Sequence, residues 1–173
     1  IVDEICKKGY KNICWLGIGG TYASCLQAEV HMKERSAINF YVENAAEYIL
    51  TGDKNVGEGT RVVISSVTGS TTEMVDGVKK AQDAGAKVIG FVDYSDTKLA
   101  KMVDYLISYP QNEQLKFFMA SDRFMYNAGE FDEYHELYAE LDEHLARALV
   151  EVEKSADELG ESIARKHMND SIH

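Results

Sequence analysis

The chain has 173 residues, and 18 Lys and Arg against 29 Asp and Glu give it a formal net charge of −11. This balance argues against a nucleic-acid-binding domain, because that class needs a basic face that displaces phosphate counterions. A hydrophobic fraction of 45% excludes a disordered chain, and no apolar run reaches the roughly 20 residues that a membrane span requires.

The acidic residues are concentrated in one part of the chain. Residues 130–161 hold 12 acids against two bases, which leaves a net charge of −1 for everything else. We therefore expect a nearly neutral body at residues 1–129. The remaining residues, 130–173, form an acidic C-terminal segment that packs on the body or leads to a further domain.

The chain begins with Ile1 instead of Met, and Ile1, Val2, Ile5 and Cys6 already follow helical spacing before Gly9 interrupts it. A helix entered midway predicts that the sequence is a piece of a longer protein. The chain has three cysteines and no secretory leader, which is typical of a reducing compartment, so we expect a cytoplasmic protein.

Short apolar runs alternate with helical patterns through the body. The predicted strands cover residues 13–16, 38–42, 61–65, 87–92 and 105–109. The predicted helices cover residues 22–35, 45–50, 73–84, 98–103 and 113–127. This alternation predicts an α/β fold, a three-layer αβα sandwich with a five-stranded parallel sheet of flavodoxin-like type.

Two details of the helices and cysteines follow from the same patterns. Ala23, Leu26, Val30 and Met32 are expected to face the sheet. Cys14 and Cys25 are expected to be small buried hydrophobes.

The acidic segment is predicted as one long helix from about residue 132 to about residue 166, with a leucine stripe for packing.

Two loops rich in glycine and hydroxyl groups follow the first and third predicted strands. The first is residues 17–22 and the second is residues 65–72. Ligands of open parallel sheets lie at the carboxyl ends of the strands, where two such loops separate. Glycines let the backbone approach a phosphate, hydroxyls donate to its oxygens, and helix N-termini add N–H groups and partial positive charge. The loops therefore predict a phosphate site without Lys or Arg, although such residues are also ordinary in turns and caps.

Other nucleotide and hydrolase motifs fit these loops less well. A dinucleotide fingerprint would have a third glycine where Tyr22 stands, although Glu43 near the end of the second strand keeps this alternative open as a ribose-binding acid. The chain has no Gly-Lys-Ser/Thr of a Walker loop and no serine in a G-x-S-x-G elbow.

Three motifs together resemble those of the sugar isomerase (SIS) domain family. They are Gly19-Gly20-Thr21-Tyr22, then Ala45-Ala46-Glu47-Tyr48, then Ser66-Val67-Thr68-Gly69-Ser70-Thr71, in which Thr68 replaces the usual middle serine. The resemblance covers roughly residues 10–165. It looks closest to the N-terminal SIS domain of fructosamine 6-phosphate and glucoselysine 6-phosphate deglycases, and to the isomerase half of glucosamine 6-phosphate synthase.

The resemblance implies a sugar-phosphate site and a two-domain enzyme. The residues that it implies as phosphate ligands are Gly20, Thr21, Ser66, Val67, Thr68 and Thr71. The ligand would be a sugar 6-phosphate or an amino-sugar 6-phosphate. A second SIS domain, absent from these residues, would carry most of the catalytic groups, and a homodimer is expected.

The candidates for a general base within this chain are Glu47 and Glu113, because proton transfer at a sugar carbon needs a carboxylate near the crevice. Glu73 is more simply explained by the dipole of the helix it begins. The histidines form no metal-like set, so we predict neither a metal nor a cofactor. The alternative function is a non-catalytic, effector-sensing SIS domain of a regulator, and a third is an interaction domain with inactive loops.

Overall fold

The computed structural model describes residues 1–108 and 113–170, and within them all side chains except those at 113, 114, 142, 145, 149 and 164–170. The chain divides into two compact units, of which the first is Ile1–Asp132 and the second begins at Glu133.

The first unit is built on a sheet of five parallel strands, as the sequence predicts. The strands are β1 (Asn12–Gly17), β2 (Phe40–Asn44), β3 (Thr60–Ser66), β4 (Lys87–Val92) and β5 (Tyr105–Ile107). Their order across the sheet is β2-β1-β3-β4-β5. Every residue of β1 and β3 is buried, which explains why both read as continuous apolar runs. The part of the fifth strand predicted at residue 109 lies outside the described residues.

Six helices accompany this sheet within the described part of the first unit. They are α1 (Val2–Lys8), α2 (Gly20–Arg35), α3 (Ala45–Thr51), α4 (Thr72–Asp83), α5 (Lys98–Met102) and α6 (Glu113–Asn127). One core cluster packs α3, α4 and α5 on one face of the sheet, and another packs α1, α2 and α6 on the other face. This arrangement confirms the predicted αβα sandwich.

Aromatic rings fill the core under α6. The ring of Phe117 meets the Trp15 ring edge to face, with centroids 4.3 Å apart, and lies 5.8 Å from the ring of Phe91. All three side chains are buried. Burying each such side chain contributes on the order of 2 kcal/mol or more, so this cluster fixes α6 across β1 and β4.

The inward face of α2 differs from the prediction. Cys25, Ala28 and Met32 are buried, whereas Leu26 is 38% exposed and Val30 is 58% exposed. Of the four predicted residues, Met32 alone lies on the buried face, and the small side chains of Cys25 and Ala28 occupy the rest of that face. The prediction that Cys14 and Cys25 are buried is confirmed, and burial raises the pKa of the Cys14 thiol.

The predicted long acidic helix is present, but it begins later than the predicted start near residue 132 because a separate short helix precedes it. Helix α7 covers Tyr134–Ala139 and helix α8 covers Leu141–Asp170. The break falls at Glu140, whose φ is −116° and whose carbonyl accepts from the N–H of His144 at the start of α8. Neither Gly nor Pro marks the break, so the sequence carries no signal for it.

The first helix is fastened to α6 by a polar contact. The Arg123 guanidinium donates from Nε and Nη2 to the two carboxylate oxygens of Asp3, both at 2.7 Å, and Asn127 donates to the same carboxylate at 2.8 Å. These hydrogen bonds hold the pKa of Asp3 well below its usual range. The carboxylate is 45% exposed, so solvent screens much of the attraction.

We predict that Asp3→Asn lowers the free energy of unfolding at pH 7 by about 0.5–1 kcal/mol, the range of a screened ion pair. Because the fold lowers the pKa of Asp3, its contribution is complete above a pH of about 4 and is lost as the pH falls further. Urea unfolding at several pH values measures this as a difference between wild type and variant that narrows in acid. Glu4→Gln removes the exposed Glu4–Lys8 pair and is the control; an equal effect from both variants would contradict the assignment.

Candidate functional site

The strand order creates a crevice between β1 and β3 at their carboxyl ends. From β1 the chain moves outward to β2, and β3 then returns to the other side of β1. The helices that follow these two strands, α2 and α4, lie on opposite faces of the sheet. The loops after β1 and β3 therefore leave in opposite directions, which is the place where open parallel sheets bind ligands.

The first loop depends on two glycines. A Cβ on Gly17 would lie 2.7 Å from Cα and 2.8 Å from the backbone nitrogen of Tyr22, so only glycine allows this approach. Gly19 has a φ of +58° and is the N-cap of α2 without a side-chain capping bond. A Cβ on Gly20 would meet nothing within 4 Å. The first N–H groups of α2 therefore lie at an open surface.

The Thr21 hydroxyl shapes this loop. It donates to the carbonyl of Ile18 at 2.7 Å and accepts from the N–H of the same residue at 3.1 Å. The single hydroxyl hydrogen is therefore engaged within the loop. A phosphate at this position would meet backbone N–H groups of the helix start, and Thr21 would act by holding their geometry.

The second loop is held by Ser66 and Gly69. The Ser66 hydroxyl accepts from the N–H of Gly69 at 3.0 Å, and the carbonyl of Gly69 accepts from the N–H of Leu99 at 2.9 Å. Gly69 has a φ of +63°, and a Cβ there would lie 2.4 Å from Cβ of Thr97. The loop is thereby anchored to the start of α5, and the described residues offer no acceptor to the hydroxyl hydrogen of the buried Ser66.

The remainder of the second loop is open to solvent. Thr68 and Ser70 are exposed, the Val67 side chain is 53% exposed, and Thr71 is half-buried. Thr71 is the N-cap of α4, but its hydroxyl makes no capping hydrogen bond. The first N–H groups of α4 and several hydroxyls of this loop therefore lie where solvent reaches them.

The two carboxylates predicted as bases occupy different positions. Glu47 is exposed in the first turn of α3, which follows the outer strand β2, so it is not beside the second loop. Glu113 begins α6, but its side chain lies outside the described residues. Both remain candidates.

Two further carboxylates border the loops. Glu43 lies on β2 opposite Leu16, and its pKa is raised by burial and by the nearby carboxylates of Asp53 and Glu47. Glu73 is exposed in the first turn of α4, where its charge favours the helix N-terminus. Neither position alone identifies a base.

One charged pair beside the crevice was missed by the sequence-based prediction. Asp93 directly follows β4, and its carboxylate lies 3.0 Å from Nζ of Lys116 on α6. Its backbone N–H donates to the carbonyl of Ser66 at 3.4 Å, so the pair adjoins the second loop. An acid immediately after a buried strand was a usable signal, whereas nothing in the helical pattern of α6 distinguished Lys116.

The described residues support neither a metal site nor a membrane-spanning helix. Within them, no group of three or more His, Cys, Asp or Glu side chains is arranged to hold a metal ion. Among the same residues, no helix has both the length and the apolar character to cross a membrane.

Comparison with known proteins places these loops in a family context. The sequence model described as "SIS domain" matches residues 8–122. The glutamine–fructose-6-phosphate aminotransferase [isomerizing] of Methanosarcina acetivorans is 30% identical in an alignment of 120 residues that covers 64% of this chain and 18% of that relative. The chain thus spans less than a fifth of the curated relative that it matches.

Solved structures share the fold at low sequence identity. The C-terminal domain of glucosamine-fructose-6-phosphate aminotransferase from Francisella tularensis has a TM-score of 0.66 and 15% identity, over 81% of this chain and 43% of that one. The E. coli CFT073 protein c3406 has a TM-score of 0.67 and 12% identity, over 80% of this chain and 81% of that one.

We predict that Gly17→Ala destabilises the fold by about 1–3 kcal/mol, because the added methyl group collides with the backbone of Tyr22. Gly20→Ala is the matched control in the same loop, where the methyl group enters open space, and its unfolding free energy should change by less than about 0.5 kcal/mol. Urea denaturation measures both. Equal midpoints for Gly17→Ala and wild type would show that the close approach is absent.

Proposed function

Since the chain belongs to the SIS domain family, we propose that the crevice between β1 and β3 binds the phosphate of a sugar 6-phosphate or amino-sugar 6-phosphate. The observation that carries this proposal is the convergence of two helix N-termini, those of α2 and α4, on the carboxyl ends of neighbouring strands. Neither N-cap residue satisfies the helix N–H groups with its own side chain. A phosphoryl group would satisfy several of them at once.

The roles that we assign follow from the contacts in each loop. Gly20 and Val67 contribute backbone N–H groups, and Ser66, Thr68 and Thr71 contribute hydroxyl donors. Thr21 holds the first loop through its bonds to Ile18. Each hydrogen bond to a charged phosphate is worth on the order of 1.5–3 kcal/mol, so four or five suffice without a cation in the loops.

For the whole protein we propose aldose–ketose isomerisation of a phosphosugar, or release of an amine from a fructosamine-type 6-phosphate. Fixing the phosphate holds the open-chain sugar so that a base can remove a proton next to the carbonyl. We assign that base to a second SIS domain, and Glu47 and Glu113 are the alternatives within this chain. The support is the family membership together with the curated relative, whose name includes an isomerising activity.

Exposed apolar side chains on the second unit support the proposal that this domain has a partner. Val152, Leu159 and Ile163 on α8 are each at least half exposed. Apolar side chains at helical spacing gain free energy when another surface covers them. We propose that a second SIS domain or a second copy of the protein provides that surface, and that the protein acts in the cytoplasm.

We predict that Thr71→Val and Thr68→Val each weaken binding of fructose 6-phosphate by about 10- to 100-fold, since each removes a donor to a charged group without changing side-chain volume. Isothermal titration calorimetry on the chain measures this. Thr51→Val is the matched control, because the Thr51 hydroxyl on α3 donates to the carbonyl of Glu47 away from both loops. Unchanged dissociation constants for both loop variants would contradict the site.

The same titration with fructose, fructose 6-phosphate, glucosamine 6-phosphate and fructoselysine 6-phosphate tests the ligand class. We expect binding only of the phosphorylated compounds. Equal binding of fructose and fructose 6-phosphate would show that the phosphate is not the group recognised. Assays of the full-length protein for isomerisation and amine release then separate the two proposed reactions, and activity in neither would favour an effector-sensing role.

A further inference from the structure

The ion pair between Lys116 and Asp93 lies at the ligand edge of the sheet and is almost fully enclosed. The Lys116 side chain is 8% exposed and the Asp93 carboxylate is 12% exposed. Removing an ammonium and a carboxylate from water costs several kcal/mol per ion, and such pairs seldom stabilise a fold more than apolar side chains would. The fold alone therefore gives little reason for this pair.

The hydrogen bonds that the described residues make with Lys116 use only part of the donor capacity of its ammonium. An ammonium carries three N–H groups. In the described part of the chain, Nζ makes one hydrogen bond, which it donates to Oδ1 of Asp93 at 3.0 Å. The described residues therefore leave two N–H groups of this nearly buried cation for further oxygen acceptors.

The position of the pair relative to the phosphate loops follows from the sheet. Ser66 ends β3 and Asp93 follows β4, and these strands are neighbours. Strands in a sheet are about 4.8 Å apart, so the ammonium lies roughly one strand to the side of the second loop. The backbone of Asp93 also bonds the carbonyl of Ser66, which fixes this offset. A hexose chain extending from a phosphate in the loops is long enough to cover one such step.

We propose that Lys116 is a specificity-determining residue whose ammonium donates to a hydroxyl or carbonyl oxygen of the carbohydrate portion of the ligand. Asp93 is a positioning residue, which holds Nζ at the crevice and compensates its charge. The inference rests on the proposed function and adds the part of the site that distinguishes a sugar phosphate from inorganic phosphate. The loops bind the phosphate that both ligands share.

The experiment compares the affinities for fructose 6-phosphate and inorganic phosphate by isothermal titration calorimetry. Lys116→Met alone would remove the Lys116 cation from a nearly buried carboxylate, so the informative variant is the double substitution Lys116→Met with Asp93→Asn. We expect its affinity for fructose 6-phosphate to fall by about 10-fold or more, the worth of one charge-assisted hydrogen bond, while that for inorganic phosphate changes less than about 3-fold. The control, Lys79→Met, replaces an exposed lysine in the second half of α4 and should change neither affinity.

The outcomes separate this inference from the proposed function. A double variant that prefers fructose 6-phosphate over inorganic phosphate as strongly as wild type would overturn the inference and leave the phosphate site intact. Failure of the wild-type chain to bind either ligand would overturn the proposed function and the inference with it.

Folding of the double variant is not required for a second test. The NMR signal of the Lys116 Cε in wild type, assigned by its loss in Lys116→Arg, should shift on addition of fructose 6-phosphate and remain in place with inorganic phosphate. The same shift with both ligands, or with neither, would contradict contact with the carbohydrate.

Discussion

The site depends on the close approach of backbone to backbone at the carboxyl end of β1 and on an equally close contact after β3. At Gly17 the chain passes so near to Tyr22 that no side chain fits, and at Gly69 it passes equally near to Thr97. These two contacts direct the starts of α2 and α4 toward one crevice. Without them, the N–H groups of the two helices would not face the same crevice.

The acidic charge of the chain and the proposed anionic ligand are compatible because the charge is unevenly distributed. Outside residues 130–161 the net charge is only −1, and the excess acid lies in the segment that becomes α7 and α8. Helix N-termini and hydroxyls supply local positive potential that does not appear in the formal charge. An overall charge of −11 therefore argues against partners that need a broad basic face and says little about a small phosphate ligand.

The sequence predicts the sheet, the helices on both faces and the two loops, because buried parallel strands and glycine-rich turns have strong local patterns. It failed where tertiary contacts decide. The buried face of α2 is formed by small residues such as Ala28, which periodicity of large side chains does not reveal. The break at Glu140 lacks a Gly or Pro. The Lys116–Asp93 pair joins residues 23 positions apart, so only the folded chain brings them together.

The most direct test of the proposed site is to map phosphate binding onto the backbone by ¹H–¹⁵N NMR of the uniformly labelled chain. On titration with fructose 6-phosphate, we expect the largest amide shifts in residues 17–22 and 66–73, at the two loops and the first turns of α2 and α4. Shifts confined to residues elsewhere in the chain, or to only one of the two loops, would contradict a phosphate held jointly between them.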